Sequence, residues 1–266
     1  MQQLTIAFIG GGNMAEALIA GLRRGGHAGS RIFVSEPQQA RRDYLTTQYQ
    51  VTCVGDNADA AAQADILVLA VKPQQMQGAL KGIDDQLKQD ATVISIAAGV
   101  STDSLQEWIS STANIVRVMP NTPALLGAGM SVLFSQADEI HKQRAEYVLD
   151  ACGESLRVDK EKLMHAVTAV SGSGPAYFFL MAEIMQAAGM KLGLDEAMAA
   201  KLAAQTALGA GRMLAESDRS ASELRHQVTS PGGTTQAALD VMYEMGLPAA
   251  VRQAVQAASK RSEELS

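Results

Sequence analysis

From residue 1 to about residue 160, short apolar runs alternate with stretches of helical periodicity. The runs fall at 4–9, 31–35, 51–54, 66–71, 92–96, 115–119, 131–134 and 155–158. Several are continuously apolar, such as Ile66-Leu67-Val68-Leu69-Ala70-Val71. A strand covered on one face alternates between apolar and polar residues, whereas a strand covered on both faces does not. The pattern therefore predicts a parallel sheet with helices on each side. Strand and helix in strict succession predict right-handed crossovers and a doubly wound α/β fold.

Beyond residue 160 the strand pattern stops. Helices are predicted near 161–169, 175–191, 195–216, 220–228, 235–245 and 248–264, punctuated by Gly193, Asp195, Pro231 and Pro248. The chain thus divides into an α/β part, 1–160, and an all-helical part, 161–266. From Ala176 to Met190 only Glu183 and Gln186 are polar, and Ala199, Ala200, Ala203, Ala204, Ala207 and Ala210 make the next helix a small-residue surface. A helix that is apolar all round must be covered all round. About a hundred helical residues cannot easily do this alone, so an interlocked homodimer is expected.

Composition narrows the class. The 266 residues are 47% hydrophobic, enough for a large core, and the formal net charge is −6. Arg23-Arg24 and Arg41-Arg42 are short doublets, not the basic cluster that nucleic acid or an anionic membrane surface requires. No apolar run reaches the ~20 residues of a membrane span, and the N-terminus goes directly into an apolar strand with no basic leader. Cys53 and Cys152 lack metal-ligand spacing. Cys53, in a strand-like run, reads as a small apolar side chain. A reduced, cytoplasmic, soluble protein is expected.

Chemistry first shows at Gly10-Gly11-Gly12-Asn13-Met14-Ala15, between the strand Ile6-Ala7-Phe8-Ile9 and a helical stretch. This is a GxGxxA fingerprint in the setting that makes it a dinucleotide site. Gly10 permits the tight turn, Gly12 lets backbone approach a pyrophosphate, and Ala15 allows close helix–strand contact. The helix N-terminus then offers amides and a partial positive charge. At the end of the second strand, Ser35-Glu36-Pro37 occupies the ribose-reading position. Glu36 there favours NAD, whereas Ser35 with Arg41 and Arg42 suits a 2′-phosphate, and both readings stay open.

Three more turns fall where strand carboxyl ends converge: Ala70-Val71-Lys72-Pro73, Ala97-Ala98-Gly99 and Met119-Pro120-Asn121-Thr122-Pro123. Lys72 reads either as a partner for cofactor phosphate or ribose, or as a solvated lysine at a strand end. Ser171-Gly172-Ser173-Gly174 precedes Pro175 and a long helix, so its amides can face an anion. Ser230-Pro231-Gly232-Gly233-Thr234-Thr235 repeats that design. Ordinary helix capping by Ser and Thr is the competing explanation for both loops.

These residues carry a family signature. Across essentially its full length the chain resembles the pyrroline-5-carboxylate reductases, through IAFIGGGNMAEALIAGL, LAVKPQ, VISIAAGV, IVRVMPNTPALLGAGM, AVSGSGPAYFFL and VTSPGGTTQAAL. The last three blocks in that order are the specific part. The resemblance implies an N-terminal Rossmann domain, a helical dimerisation domain, and reduction of Δ1-pyrroline-5-carboxylate to L-proline as the last step of proline biosynthesis. It implies NADPH as cofactor, and often a ring of dimers; Glu36 leaves room for NADH to be accepted. It assigns Gly10, Gly11, Gly12, Asn13, Met14 and Ala15 to the pyrophosphate, with Ser35 and Glu36 at the ribose end. Asn57 and Ala70, Val71, Lys72 and Pro73 would meet the ribose and nicotinamide side, and Ala97, Ala98 and Gly99 would line the nicotinamide pocket. Met119 and Pro120 would border the substrate. Val170, Ser171, Gly172, Ser173, Gly174, Pro175 and Ala176, with Ser230, Gly232, Gly233, Thr234 and Thr235, would bind its carboxylate and ring nitrogen. Thr235 is the residue placed nearest that nitrogen.

A protonated cyclic imine is already electrophilic, so neither a strong base nor a metal is required of the protein. His27 and His141 occur in polar stretches typical of a surface, and His165 and His226 lie in helices without an evident carboxylate partner. The nearest rival, a β-hydroxyacid dehydrogenase, needs a lysine acid in its helical domain. The loops at 170–176 and 230–235 hold none, and Lys191 and Lys201 lie elsewhere. A non-catalytic dinucleotide sensor would want a basic or DNA-binding face, which is not visible.

Overall fold

A computed structural model gives the fold and describes residues 1–109 and 113–266. Eight strands form one sheet: β1 (Ile6–Ile9), β2 (Ile32–Ser35), β3 (Thr52–Val54), β4 (Ile66–Leu69), β5 (Thr92–Ser95), β6 (Asn114–Met119), β7 (Gly129–Phe134) and β8 (Gly153–Arg157). Their order is β3-β2-β1-β4-β5-β6-β7-β8. The helices between them are α1 (Asn13–Arg24), α2 (Gln39–Tyr49), α3 (Asn57–Ala61), α4 (Pro73–Ala79), α5 (Thr102–Trp108) and α6 (Glu139–Leu149). There follow α7 (Leu163–Val167), α8 (Gly174–Lys191), α9 (Glu196–Glu216), α10 (Ala221–Gln227), α11 (Thr234–Glu244) and α12 (Leu247–Glu264).

The continuous apolar runs behave as their pattern requires. Central β1 pairs Ile6 with Ile32 on one side and with Ile66 on the other. Its residues point alternately into two cores. Ile6 and Phe8 join Leu18 of α1, Leu45 of α2 and Val148 of α6, while Ala7 and Ile9 join Ala60 of α3, Met76 of α4 and Leu105 of α5. Each large side chain so buried contributes about 1.5–3 kcal/mol. Helices on both faces make the sheet doubly wound.

Strict alternation of strand and helix fails at one place. β1 to β6 pair in parallel, but β7 runs antiparallel to β6. The connection holds only a 3₁₀ turn, Thr122–Leu126, closed by Gly127 at φ 73°. A parallel return needs a crossover of a dozen or more residues, so the chain turns back on itself instead. α6 then restores a parallel pairing between β7 and β8.

Two histidines are buried, contrary to their polar neighbourhoods. His141 lies on the stripe of α6 formed with Ala145, Val148 and Leu149, a spacing that puts it on the core face. Its Nδ1 meets the Thr92 hydroxyl at 2.8 Å. His27, where the chain leaves α1, meets the Tyr147 hydroxyl at 2.9 Å. Burial holds both rings below the ordinary histidine pKa. The cysteines are free, and burial pushes Cys152 up to about 11; its thiol donates to the Ala17 carbonyl. That contact exists because α1 rests directly on the chain at Ala151, where a side chain on Gly21 would overlap the Ala151 carbonyl.

Residues 1–172 with 258–266 form one compact unit and 173–257 another. Within the first, Glu161 accepts from Arg117 of β6 at 2.8 Å and from the amide and hydroxyl of Thr102 at the start of α5. Burial would raise this carboxyl, but Arg117 and Thr102 outweigh it and hold it below its usual value. The end of α12 also belongs here, with Ser262 against His165 Nδ1 at 3.1 Å.

In the second unit α8 pairs with α9, and a Cβ on Gly189 would lie 3.1 Å from Leu194 at the hairpin end. Few of its apolar side chains are covered by the single chain: Phe178 and Phe179 are each 67% exposed, Leu208 57% and Met245 82%. So large an apolar surface marks an interface, and a second copy of the chain is the expected cover. Light scattering at micromolar concentration should give a dimer or larger, and Phe178→Asp with Phe179→Asp should shift it towards monomer. A stable monomeric parent protein would refute this.

Candidate active site

The strand order reverses about β1 and β4, and in open α/β sheets ligands bind at such a switch point, beyond the strand carboxyl ends. The glycine turn sits there. Gly10 has φ 96°, donates its amide to the Ser35 carbonyl at 2.8 Å, and lies so close to β4 that a Cβ would stand 2.9 Å from the Ala70 carbonyl. Gly12 is different. Its φ of −70° suits any residue, and nothing lies within 4 Å of where a Cβ would be. The protein leaves that space open above the N-terminus of α1, where Gly12 is the N-cap and no side chain caps the helix. The amides of Asn13, Met14 and Ala15 therefore lack intrahelical acceptors and face the open cradle that a dinucleotide diphosphate fits. Ala15 is buried, as the fingerprint requires of its third small residue.

Between these two glycines, Gly11 is held from both sides. Its amide donates to Glu36 Oε2 at 3.1 Å, and its carbonyl accepts from Arg41 Nε at 2.7 Å. Arg41 continues to Glu16 at 2.5 Å. Burial tends to raise the Glu16 carboxyl, but hydrogen bonds from Tyr44, Tyr49 and Arg41 prevail and lower it. The other Glu36 oxygen accepts the Gln38 amide, and Arg42 caps the Glu36 and Pro37 carbonyls. The carboxylate that spacing alone places at the ribose is thus engaged with backbone. Ser35 donates to Asn57 Oδ1 at 2.6 Å, and Asn57 in turn donates to the Ala79 carbonyl.

A cleft of about 320 Å³ opens beside the cradle, lined by Met14, the Ala70–Val71–Lys72–Pro73 turn, Ile96 to Ala98, the Met119–Thr122 turn and Gly172. Five segments that the sequence marked separately meet there. Lys72 is the one formally charged residue among these lining groups. Gly99 is not among them. It is buried at φ 77° and backed by the Leu265 carbonyl, 2.8 Å from where its Cβ would be, so it shapes the loop from behind. Asn121 and Thr122 do reach the cleft, a role that their place in the Met-Pro-Asn-Thr-Pro turn hinted at.

The segment before α8 is not the open loop expected. Thr168–Gly172 is a π-helical turn that continues α7, Ser173 keeps right-handed helical backbone, and Pro175 still falls in the first turn of α8. Such wide turns displace the regular i→i−4 ladder and occur often at functional sites. Gly172 lies against the Met119 methyl, which would have to swing aside to admit a Cβ there. In the helical unit, Ser230-Pro231-Gly232-Gly233 forms a tight turn: Gly232 has φ 70° and the Gly233 amide donates to the Ser230 carbonyl at 3.0 Å. Proline then glycine at its centre is a type II signature. Neither loop caps its helix with a Ser or Thr side chain. Gly233 holds the N-cap of α11, and the half-buried Thr235 hydroxyl has no partner among the described residues.

Comparison with known proteins covers both parts of the chain. A family model described as pyrroline-5-carboxylate reductase dimerisation matches residues 161–265, and one described as NADP oxidoreductase, coenzyme F420-dependent, matches residues 5–99. Pyrroline-5-carboxylate reductase from Pseudomonas aeruginosa is 46% identical over 98% of this chain and 96% of its own. Among solved structures, a pyrroline-5-carboxylate reductase from Coxiella burnetii is similar at TM-score 0.94 and 39% identity, covering 99% of this chain and 98% of that one. The pyrroline carboxylate reductase of Plasmodium falciparum, with NADP bound, is similar at TM-score 0.87 and 31% identity, over 100% and 99% of the two chains.

The contrast between the two glycines is testable. Gly12→Ala should keep its melting temperature and lose at least tenfold in dinucleotide affinity, measured by fluorescence titration. Gly10→Ala should destabilise the fold by about 1–3 kcal/mol in chemical denaturation, because φ is positive and Ala70 is in the way. The reverse pattern would mean that the cradle is not where the diphosphate lies.

Proposed function

The chain belongs to the pyrroline-5-carboxylate reductase family, and from that premise we propose that it reduces Δ1-pyrroline-5-carboxylate to L-proline, completing proline biosynthesis in the cytoplasm. The observation that carries this reading is the cleft itself, where the glycine cradle and the Met119–Thr122 turn converge at the switch point. NADPH is the better cofactor and NADH is also accepted. Each Glu36 oxygen already accepts a backbone amide, so the carboxylate is held against the glycine turn with fewer lone pairs left for ribose hydroxyls. We assign residues 1–160 to the cofactor and 161–266 to substrate binding and dimerisation, with dimers assembling into a ring.

The dinucleotide supplies hydride when bound. Everything else falls to the chain's own residues. The α1 amides and Gly12 hold the diphosphate, with Asn13 and Met14 at the same end. The Ala70 to Pro73 turn, with Ala97 and Ala98, borders the nicotinamide, and Asn57 acts through Ser35 on the ribose end. Met119 and Pro120 wall the substrate. Val170 to Ala176 and Ser230 to Thr235 hold its carboxylate and ring nitrogen, through backbone amides and hydroxyls. An iminium carbon is electrophilic as it arrives, so what remains is to orient it and exclude water, a contribution of about 7–11 kcal/mol when geometry is well set. The apolar lining of Met14, Val71, Ile96, Ala97 and Met119 serves the second need.

Incubation with NADPH and pyrroline-5-carboxylate should give proline, with kcat/KM higher than for NADH, while 2-keto and 3-hydroxy acids should not turn over. Turnover of those acids instead would assign the chain another reaction.

Thr235 is the residue to test next. Its free hydroxyl can bond the ring nitrogen as it changes from planar iminium to amine. An interaction that strengthens in the transition state lowers kcat as well as kcat/KM when removed. One such bond contributes about 0.5–1.5 kcal/mol, or ~3 with a charged partner. Thr235→Val should therefore lose about ten- to a hundredfold in kcat/KM, with melting temperature and NADPH affinity kept, while Thr234→Val loses far less. Unchanged activity removes Thr235 from the mechanism, and a matching fall in stability makes it structural.

A further inference from the structure

Asn121 stands at the N-cap of the 3₁₀ turn Thr122–Leu126 yet makes no capping bond. Asparagine at such a position ordinarily accepts from the amides of the following turn. Here its Oδ1 accepts the Met130 amide at 2.9 Å, and its Nδ2 donates to Ser171, 3.3 Å from the hydroxyl and 3.4 Å from the carbonyl. One half-buried carboxamide thus joins the end of β6, the start of β7 and the π-helical turn. The first and the last of these border the cleft, since Met119, Asn121 and Gly172 line it. The wide turn has lost part of its regular ladder and so depends on outside contacts for its place. Gly172, one residue on, sits directly against the Met119 methyl.

We propose that Asn121 is a positioning residue for the reaction: it sets the π-helical turn at Ser171–Gly172 against the Met119–Pro120 wall and thereby fixes the end of the cleft that receives the pyrroline substrate. This rests on the reductase reading given above. The diphosphate cradle is built by Gly10 to Ala15, to which Asn121 makes no hydrogen bond, so the hold on the dinucleotide's diphosphate is expected to be kept. Asn121→Asp separates the two functions of the side chain. The carboxylate keeps an acceptor for the Met130 amide, but offers Ser171 an oxygen where the carbonyl needs a donor.

The experiment measures steady-state kinetics with NADPH and pyrroline-5-carboxylate, product inhibition by L-proline, NADPH affinity by fluorescence, and melting temperature. For Asn121→Asp the expected result is a tenfold or greater rise in both the substrate KM and the inhibition constant of L-proline. kcat should stay within threefold, and NADPH affinity within twofold. Asn121→Gln keeps the donor and the acceptor but displaces both from Ser171 and Met130, and should raise the same two constants about threefold even if Asn121→Asp does not fold. Unchanged constants in both variants, or a parallel loss of NADPH affinity and melting temperature, would overturn the proposal. Failure of the parent protein to reduce pyrroline-5-carboxylate would instead overturn the reductase reading.

Discussion

The close approach of Gly10 to the Ala70 carbonyl sets the spacing of everything at the switch point. Strands β1 and β4 are neighbours, and the turns that leave them can share one cleft only if neither carries a side chain into the gap. A Cβ at Gly10 would stand 2.9 Å from the carbonyl, and φ 96° is a conformation that few L residues accept. With that contact made, α1 starts at the sheet edge with its first amides uncapped. The Ala70–Pro73 turn becomes one wall, and Ile96 to Ala98, one strand further along, becomes the next. The bonds on Gly11 are consequences of the same geometry: a glycine-rich turn has no side chains of its own to hold it, so Glu36 and Arg41 take its amide and carbonyl from outside.

This arrangement explains why Glu36 reads ambiguously. Position along the chain places a carboxylate at the end of β2, where dinucleotide enzymes read the ribose. Direction is a different matter, and it is decided by Gly11 and Gln38, whose amides each take one of the two oxygens. Nothing in the spacing of residues 10, 11 and 36 distinguishes a carboxylate turned towards solvent from one folded back on the turn. Arg41 and Arg42 illustrate the same point, being equally adjacent to the ribose end in sequence and yet engaged with Gly11, Glu16, Glu36 and Pro37.

Legibility followed the range of the interactions. Runs such as Ile66–Leu69 and Thr92–Ser95 announce their strands because burial on both faces leaves a local pattern, and the three glycine-and-proline turns announce the cleft because unusual backbone needs particular residues. What could not be read depends on partners far along the chain. His141 looks like a surface residue until its register on α6 is known, and Gly99 looks like pocket lining until Leu265 is found behind it. The antiparallel return into β7 is a matter of nine residues being too few to cross over. The wide turn at Thr168–Gly172 was hidden because Ser-Gly-Ser-Gly before proline is equally good sequence for a loop.

The cleft's chemistry has the same logic as its geometry. Among the lining residues only Lys72 carries a formal charge, and neither a carboxylate nor an imidazole is present. The buried histidines are committed elsewhere, His27 to Tyr147 and His141 to Thr92. A reaction that needed a general acid would have only the Lys72 ammonium to draw on among these lining residues. A substrate that arrives as a cation at its reacting centre and an anion at its carboxylate needs something else. It needs dipoles aimed at the carboxylate, a hydroxyl at the nitrogen, and apolar walls that keep both interactions strong by keeping water out. The helix N-terminus left uncapped at Gly12 likewise offers its dipoles, there to a dinucleotide diphosphate, without adding a titratable group. The chain spends its polar side chains, Asn121, Glu36 and Asn57 among them, on holding backbone in place.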